Sequence, residues 1–276
     1  GLGAGAERLA ANITAMSGGR LTVRVYGAGE LVPALECFSA VANGTAQMGH
    51  DGAYYHTGKT EGCAFFTAFP FGLTADEMQA WVMYGNGQQL WDELYAPFGI
   101  RGFLAGSTGT QMLGWFKREI RSLGDLKGLK FRAPGNQGRV LQKLGVTPVS
   151  LAGGDIYPAL QSGAIDGAEW IGPYNDLALG FYQVCKYYYA HGYHEPGAAL
   201  QLMINEAAWR TLTPELQSIV KTACAHAYTD MLAEFNARSG PALRTLVQKH
   251  GVIVRALPEE VLLACGEKSN EVLNEI

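Results

Sequence analysis

The chain is poor in charge, and what charge it has is scattered. Lys, Arg, Asp and Glu make up 17% of 276 residues, the formal net charge is −4, and no run of Lys or Arg occurs. Nucleic-acid and anionic-membrane surfaces need clustered cations, so both are excluded as partners. No apolar stretch approaches the ~20 residues of a membrane-spanning helix. The five cysteines, Cys37, Cys63, Cys185, Cys224 and Cys265, form no C-x-x-C pair. An odd number cannot all pair within one chain, and they read as buried free thiols acting as small hydrophobes. Hydrophobic residues make up 48% of the chain, so it has the material of a folded globular protein with room for two lobes.

Hydrophobic periodicity predicts a helix over 3–16, an alternating strand over 21–26, a helix over 34–43 and a short strand near 46–49. Thr74-Ala75-Asp76-Glu77 is a capping box that opens a helix to about Tyr84, with a second helix over 87–95. Strands are predicted over 100–105 and 111–117. A beat of strand and helix then follows: 128–132, 136–144, 146–149, 154–162 and 165–170. That spacing suits βαβ units in a largely parallel sheet. Further strands are read at 183–189 and 198–204. Thr213-Pro214-Glu215 starts a helix running to about His250 with an interruption at Gly240-Pro241. Val252-Ile253-Val254 is a last strand, and Pro258-Glu259-Glu260 opens a closing helix. The βα pattern occurs before about residue 105 and again from about 128 to 190. This predicts two α/β lobes: 1–106 plus about 200–233, and 107–199 plus about 234–276. A helix of ~30 residues spans ~45 Å and is long enough to brace both. Ligands of such folds lie at the carboxyl ends of strands, here in a cleft between the lobes.

Several motifs point elsewhere and fail. Gly58-Lys59-Thr60 resembles the tail of a phosphate loop, but position 53 is Ala and bulky Tyr54, Tyr55 and His56 precede it. His191, His194 and Glu195 have a metal-like spacing, but Gly192 and Pro196 argue for a loop, and they read as loop or surface residues. Ser107 lacks the glycine two residues earlier that a nucleophile elbow needs. Tyr187-Tyr188-Tyr189 reads as strand packing. Tyr54 and Phe71 are balanced between core and ligand-site lining.

The informative residues are charged groups where buried strands break. Arg132 ends Lys130-Phe131-Arg132-Ala133-Pro134-Gly135, and Asp166 and Glu169 lie in Ile165-Asp166-Gly167-Ala168-Glu169-Trp170. A guanidinium and a carboxylate at the ends of two strands suit a small-anion site, because guanidinium makes a planar two-point contact with carboxylate. An enzyme using Glu169 as base would need a partner acid or nucleophile, and none is evident.

The run from Ser122-Leu123-Gly124-Asp125-Leu126-Lys127-Gly128-Leu129-Lys130 through Leu144-Gly145-Val146-Thr147-Pro148-Val149 to Tyr157-Pro158-Ala159-Leu160-Gln161-Ser162-Gly163 and Glu169 closely resembles the substrate-binding proteins of TRAP transporters, in the DctP-like class. Gly29-Glu30-Leu31-Val32-Pro33 and Asn205-Glu206-Ala207-Ala208-Trp209 resemble further family segments, so the likeness spans essentially the whole chain. It implies a two-lobed, periplasmic-binding-protein-like α/β fold with a long helix bridging both lobes. It implies no catalysis and no organic cofactor, but capture of an organic acid in the periplasm and delivery to the membrane permease subunits of a TRAP transporter. A ligand-sensing domain of a receptor is the other reading of such a module. The family's carboxylate-binding arginine corresponds to Arg132.

The segments Thr110-Gln111-Met112-Leu113-Gly114-Trp115-Phe116 and Trp170-Ile171-Gly172-Pro173 resemble the branch that binds small 2-oxo or 2-hydroxy monocarboxylates through a metal ion. The resemblance implies that Gln111, Glu169 and the main-chain carbonyl of Trp170 hold the cation; Tyr54 and Phe71 are kept beside them as candidate substrate-binding residues because apolar walls suit a small-ligand cleft. Oxygen donors favour Na⁺ or Ca²⁺ bridging the ligand. Lobe closure about a hinge would then bury the pair, and Arg132→Ala should abolish binding while thermal unfolding stays near wild type. Relatives carry a strand before the first helix and more helix at the end, so the sequence reads as trimmed at both ends.

Overall fold

A computed structural model describes residues 1–190 and 192–276. His191 lies outside the described residues. The strands are β1 (Met48–Asp51), β2 (Ile100–Gly109), β3 (Gly114–Phe116), β4 (Lys130–Arg132), β5 (Thr147–Val149), β6 (Gly167–Ala168), β7 (Tyr187–Tyr189), β8 (Ala198–Asn205) and β9 (Ile253–Arg255). The helices are α1 (Leu2–Met16), α2 (Cys37–Ala42), α3 (Ala75–Tyr84), α4 (Gly87–Tyr95), α5 (Gly135–Lys143), α6 (Gly153–Ser162), α7 (Pro173–Leu179), α8 (Glu206–Thr211), α9 (Pro214–His250) and α10 (Glu259–Glu275). None is long and apolar enough to cross a membrane.

The chain divides into two compact units. Unit 1 comprises Gly1–Thr67, Thr74–Gly109 and Gly197–Glu234; unit 2 comprises Ala68–Leu73, Thr110–Pro196 and Phe235–Ile276. The short excursion Ala68–Leu73 belongs with unit 2, although the sequence reading runs 1–106 continuously through the first lobe.

Unit 1 is built on a three-stranded sheet of order β1-β8-β2 in which both pairings are antiparallel. The βα pattern read before about residue 105 thus forms an antiparallel sheet, and the parallel reading made for 128–170 does not extend to it. The central strand β8 arrives from far downstream, and a local strand–helix rhythm carries no trace of that insertion. β8 is buried along nearly its whole length, as its continuous apolar run demands. On the sheet lie Leu9 and Ile13 of α1, one turn apart, packed with Phe103, Leu202 and Trp209. Phe66 stacks on Trp91 at 4.5 Å between ring centroids. The strand predicted over 21–26 forms no ladder among the described residues: Leu21 and Val23 pack against the α1 cluster while Val25 and Tyr26 are exposed. Alternation selects an extended backbone with two faces, but a strand also needs a neighbour to take its hydrogen bonds. The capping box at Thr74 is present, Glu77 accepting the Thr74 N–H at 2.8 Å.

Unit 2 carries a six-stranded sheet of order β5-β4-β6-β3-β7-β9. β4 pairs in parallel with β5 and β6, and β7 with β9, while β3 runs antiparallel to both its neighbours. Five strands thus share one direction and β3 opposes them. Trp115 stacks on Tyr188 at 3.9 Å and Phe116 on Phe131 at 4.8 Å, so the tyrosine run does serve packing.

Helix α9 contributes residues up to Glu234 to unit 1 and the rest to unit 2. It runs unbroken through Gly240-Pro241, where the sequence predicted an interruption. A proline inside a helix costs about 3 kcal/mol through one lost bond and a clash. The flanking Phe235, Ala242 and Leu246 are buried, and that packing holds the helix through a residue that would end it in isolation.

Candidate functional site

Strand direction brings the charged residues together. Arg132 ends β4, and its parallel register partner on β6 is Ala168, so the next residue, Glu169, leaves the sheet at the same end. The Glu169 N–H donates to the Arg132 carbonyl at 3.1 Å and fixes that geometry. Both side chains are fully buried, and Arg132 Nη1 is ion-paired with Glu169 Oε1. Nη1 also donates to the Glu169 carbonyl at 3.3 Å, and Nε and Nη2 donate to the Leu151 carbonyl at 3.2 and 3.1 Å. Leu151 follows β5, so three adjacent strand ends feed one guanidinium. Such satisfaction is required, since an ion buried without partners costs several kcal/mol.

Trp170 follows directly. Its ring centroid is 5.1 Å from the guanidinium carbon of Arg132, a cation–π contact. The turn after it is tied down by Asp176 of α7, whose Oδ1 accepts the N–H groups of Ile171 at 3.3 Å and Gly172 at 3.1 Å. Asp176 Oδ2 accepts from Trp115 Nε1 and the Tyr188 hydroxyl, both at 2.8 Å. Asp176 is wholly buried, and burial outweighs these four donors to push its carboxyl up to about 7.

The other side of the site enters through the reversed strand. Because β3 opposes its neighbours, its beginning lies at the end where β6 and β7 finish. Gln111 precedes β3 and is buried; its N–H donates to the Glu195 carbonyl at 3.1 Å, and the Met112 N–H to the Ile171 carbonyl at 2.9 Å. Glu195 sits in the loop that follows β7, with its N–H on the Gly192 carbonyl at 3.0 Å. A side chain at Gly192 would overlap the main-chain carbonyl of Gln111, which makes glycine necessary at that approach.

That loop corrects the sequence reading. His194 is read there as a loop or surface histidine; it is in a loop, but only 1% exposed. Its Nε2 lies 3.6 Å from Glu169 Oε2, and Glu169, His194 and Glu195 each offer a ligand atom, all within 4.8 Å of one another. Sequence reasoning set His194 and Glu195 aside because Gly192 and Pro196 argue for a loop. No local signal marked them, because only the strand directions bring the loop after β7 to the sheet end where Arg132 and Glu169 emerge.

Of the predicted site residues, unit 2 brings together Arg132, Glu169, Trp170 and Gln111 around this sheet end. Phe71 is also in unit 2, half exposed and stacked on Tyr193 with centroids 4.9 Å apart. Tyr54 belongs to unit 1, where it is buried with its ring edge-on to Tyr55 at 4.7 Å. Ser107 has a structural duty, donating to the Ala198 carbonyl at 3.0 Å and accepting the Gly109 N–H at 3.1 Å. Cys63, Cys185, Cys224 and Cys265 are buried free thiols, and burial pushes Cys63, Cys185 and Cys224 up to about 12.

The arrangement fits a hard cation. Among the described residues, Glu169 Oε2 and both ring nitrogens of His194 are buried without hydrogen-bond partners. The Glu169 and Glu195 carboxylates and nearby main-chain carbonyls are oxygen donors of the kind Na⁺ and Ca²⁺ prefer.

Comparison with known proteins agrees with this geometry. The family model for bacterial extracellular solute-binding protein, family 7 (DctP), matches residues 2–276. A monocarboxylate 2-oxoacid-binding periplasmic protein of Nostoc sp. is 44% identical over 271 residues, 98% of this chain and 74% of that protein. A TRAP transporter solute-binding protein from Bordetella bronchiseptica, solved with calcium and picolinate, superposes with a TM-score of 0.98 at 40% identity, covering 99% of this chain and 81% of that one. One from Colwellia psychrerythraea, solved with calcium and pyruvate, gives 0.96 at 42% identity, covering 99% and 84%. One from Pseudoalteromonas atlantica, solved with sodium and pyruvate, gives 0.95 at 40% identity, covering 98% and 82%.

Proposed function

We infer that this chain, which belongs to the bacterial extracellular solute-binding proteins of family 7, captures a 2-oxo or 2-hydroxy monocarboxylate of pyruvate size together with Na⁺ or Ca²⁺. The family serves solute transport and is not one of enzymes. The observation that carries the reading is the buried pairing of Arg132 with Glu169 beside His194 and Glu195. A charged group of this density inside a protein is costly unless something else completes it.

Gln111, Glu169, Glu195 and the Trp170 carbonyl would hold the cation. The cation would supply a fixed positive charge for the acid's carboxylate and 2-oxygen. Arg132 would lend its fixed positive charge to the acid's carboxylate, while Leu151 and Glu169 hold its fork and Trp170 lies against its face. His194 is placed to donate to the remaining oxygen. A divalent cation and a monoanionic acid add one net positive charge, which cancels the excess of two carboxylates over one guanidinium.

Delivery to TRAP permease subunits, from the periplasm, completes the proposed role. The test is calorimetric titration with pyruvate and lactate, before and after dialysis against chelator in sodium-free buffer. Binding should be strong with Ca²⁺ or Na⁺ present and weak without; unchanged affinity after cation removal sinks the reading.

A further inference from the structure

Phe71 is the single non-glycine residue among those described with a left-handed backbone, at φ +60°. It stands third in Phe69-Pro70-Phe71-Gly72, a turn closed by the Gly72 N–H on the Phe69 carbonyl at 2.8 Å. Proline second and positive φ third is the order of a type II turn, whose third place ordinarily takes Gly or Asn. An aromatic side chain there carries backbone strain, and such strain persists only where surroundings over-determine it. Burial does not account for it, since Phe71 is 48% exposed.

What the strained conformation secures is Tyr193. The Phe71 N–H donates to the Tyr193 carbonyl at 2.6 Å, and the two rings stack at an interplanar angle of 23°. The Tyr193 hydroxyl meanwhile donates to Cys265 Sγ of α10 and accepts from Gln137 Nε2 of α5, each at 3.0 Å. Tyr193 is therefore gripped by main chain, ring and hydroxyl, and the next two residues are His194 and Glu195.

We propose that Phe71 is a positioning residue for the cation site, holding the His194–Glu195 pair against Glu169 through Tyr193, and that its turn tolerates strain for that purpose. The inference rests on the cation-and-acid reading above. Supporting residues around a bound metal typically change its affinity by about 10- to 100-fold when removed.

The experiment titrates Ca²⁺ alone, without any acid, into chelator-treated wild type, Phe71→Gly, Phe71→Ala and Phe71→Tyr, with thermal unfolding of each. Phe71→Tyr should keep Ca²⁺ affinity because it keeps the stack. Phe71→Gly and Phe71→Ala should both lose about tenfold or more, although Phe71→Gly, freed of strain, should melt above Phe71→Ala. If Phe71→Ala fails to fold, the strain-free Phe71→Gly carries the comparison. Wild-type Ca²⁺ affinity in Phe71→Gly overturns the inference. So does unchanged Ca²⁺ affinity with weakened pyruvate binding, which would make Phe71 a direct ligand contact. A wild-type protein that binds neither Ca²⁺ nor, in a parallel titration, Na⁺ overturns the cation reading itself, and this inference with it.

Discussion

Nη1 of Arg132 meets Oε1 of Glu169 directly, and neither side chain has any exposure to solvent. The two are neighbours because β4 and β6 are parallel and in register, Arg132 opposite Ala168. On the proposed reading, one guanidinium would serve both the ligand and the fold.

Arg132→Ala should therefore abolish acid binding and also destabilise the protein, contrary to the near-wild-type unfolding expected from sequence. Leaving Glu169 buried and unpaired costs about 3–5 kcal/mol. A double variant, Arg132→Met with Glu169→Met, should lose less than Arg132→Met alone because Glu169 is not left as an orphan charge. Urea unfolding at constant pH measures all three, and equal stability of Arg132→Ala and wild type would refute the structural half of the role.

Ca²⁺ should raise the unfolding free energy of the chelator-treated protein by mass action, about 2.7 kcal/mol at a hundredfold excess over its dissociation constant. Glu195→Gln should weaken Ca²⁺ binding about tenfold or more. Scanning calorimetry across a Ca²⁺ series checks both, and a wild-type response in Glu195→Gln would remove Glu195 from the cation set.

Asp176 should make stability depend on pH in a direction unusual for a carboxyl. Its folded value near 7 lies above the ordinary value of about 3.9. Between the two the folded protein holds more protons than the unfolded chain. Its contribution is thus complete below pH ~4 and is lost as pH rises towards 7, by at most about 1.4 kcal/mol per unit. The stability of wild type relative to Asp176→Asn should fall across that range. A flat difference would show that Asp176 stays ionised in the folded state.

Gly192→Ala should damage the site more than its size suggests. Its methyl group would overlap the Gln111 carbonyl, forcing apart Gln111 and the loop bearing His194 and Glu195. Acid and Ca²⁺ affinity should both drop, with a loss of stability of about 1–3 kcal/mol typical of overpacking. Isothermal titration alongside unfolding tests this, and wild-type affinity would mean the loop accommodates a side chain freely.

Local chemistry accounts for what was legible in the amino-acid order. The capping box at Thr74, the helix start at Thr213-Pro214, the buried run of β8 and the strand–helix beat from β4 to β6 depend on side chains a few residues apart. Gln111 and Trp170 came only from the likeness of their segments to a family branch, whereas Arg132 and Glu169 could be singled out because charged residues stood where apolar strands break. His194 and Glu195 could not, since their significance comes from β3 running against its neighbours and placing the start of one strand beside the ends of two others.

By itself the chain order determined which segments are helical or extended and which polar residues fall at strand ends, because those follow from spacing along a backbone. Only tertiary structure decided that β8 would sit between β1 and β2, that α9 would run through Pro241, and that a histidine and a second glutamate would be buried against Glu169. Each of those outcomes depends on packing between residues tens of positions apart, and no local preference records it.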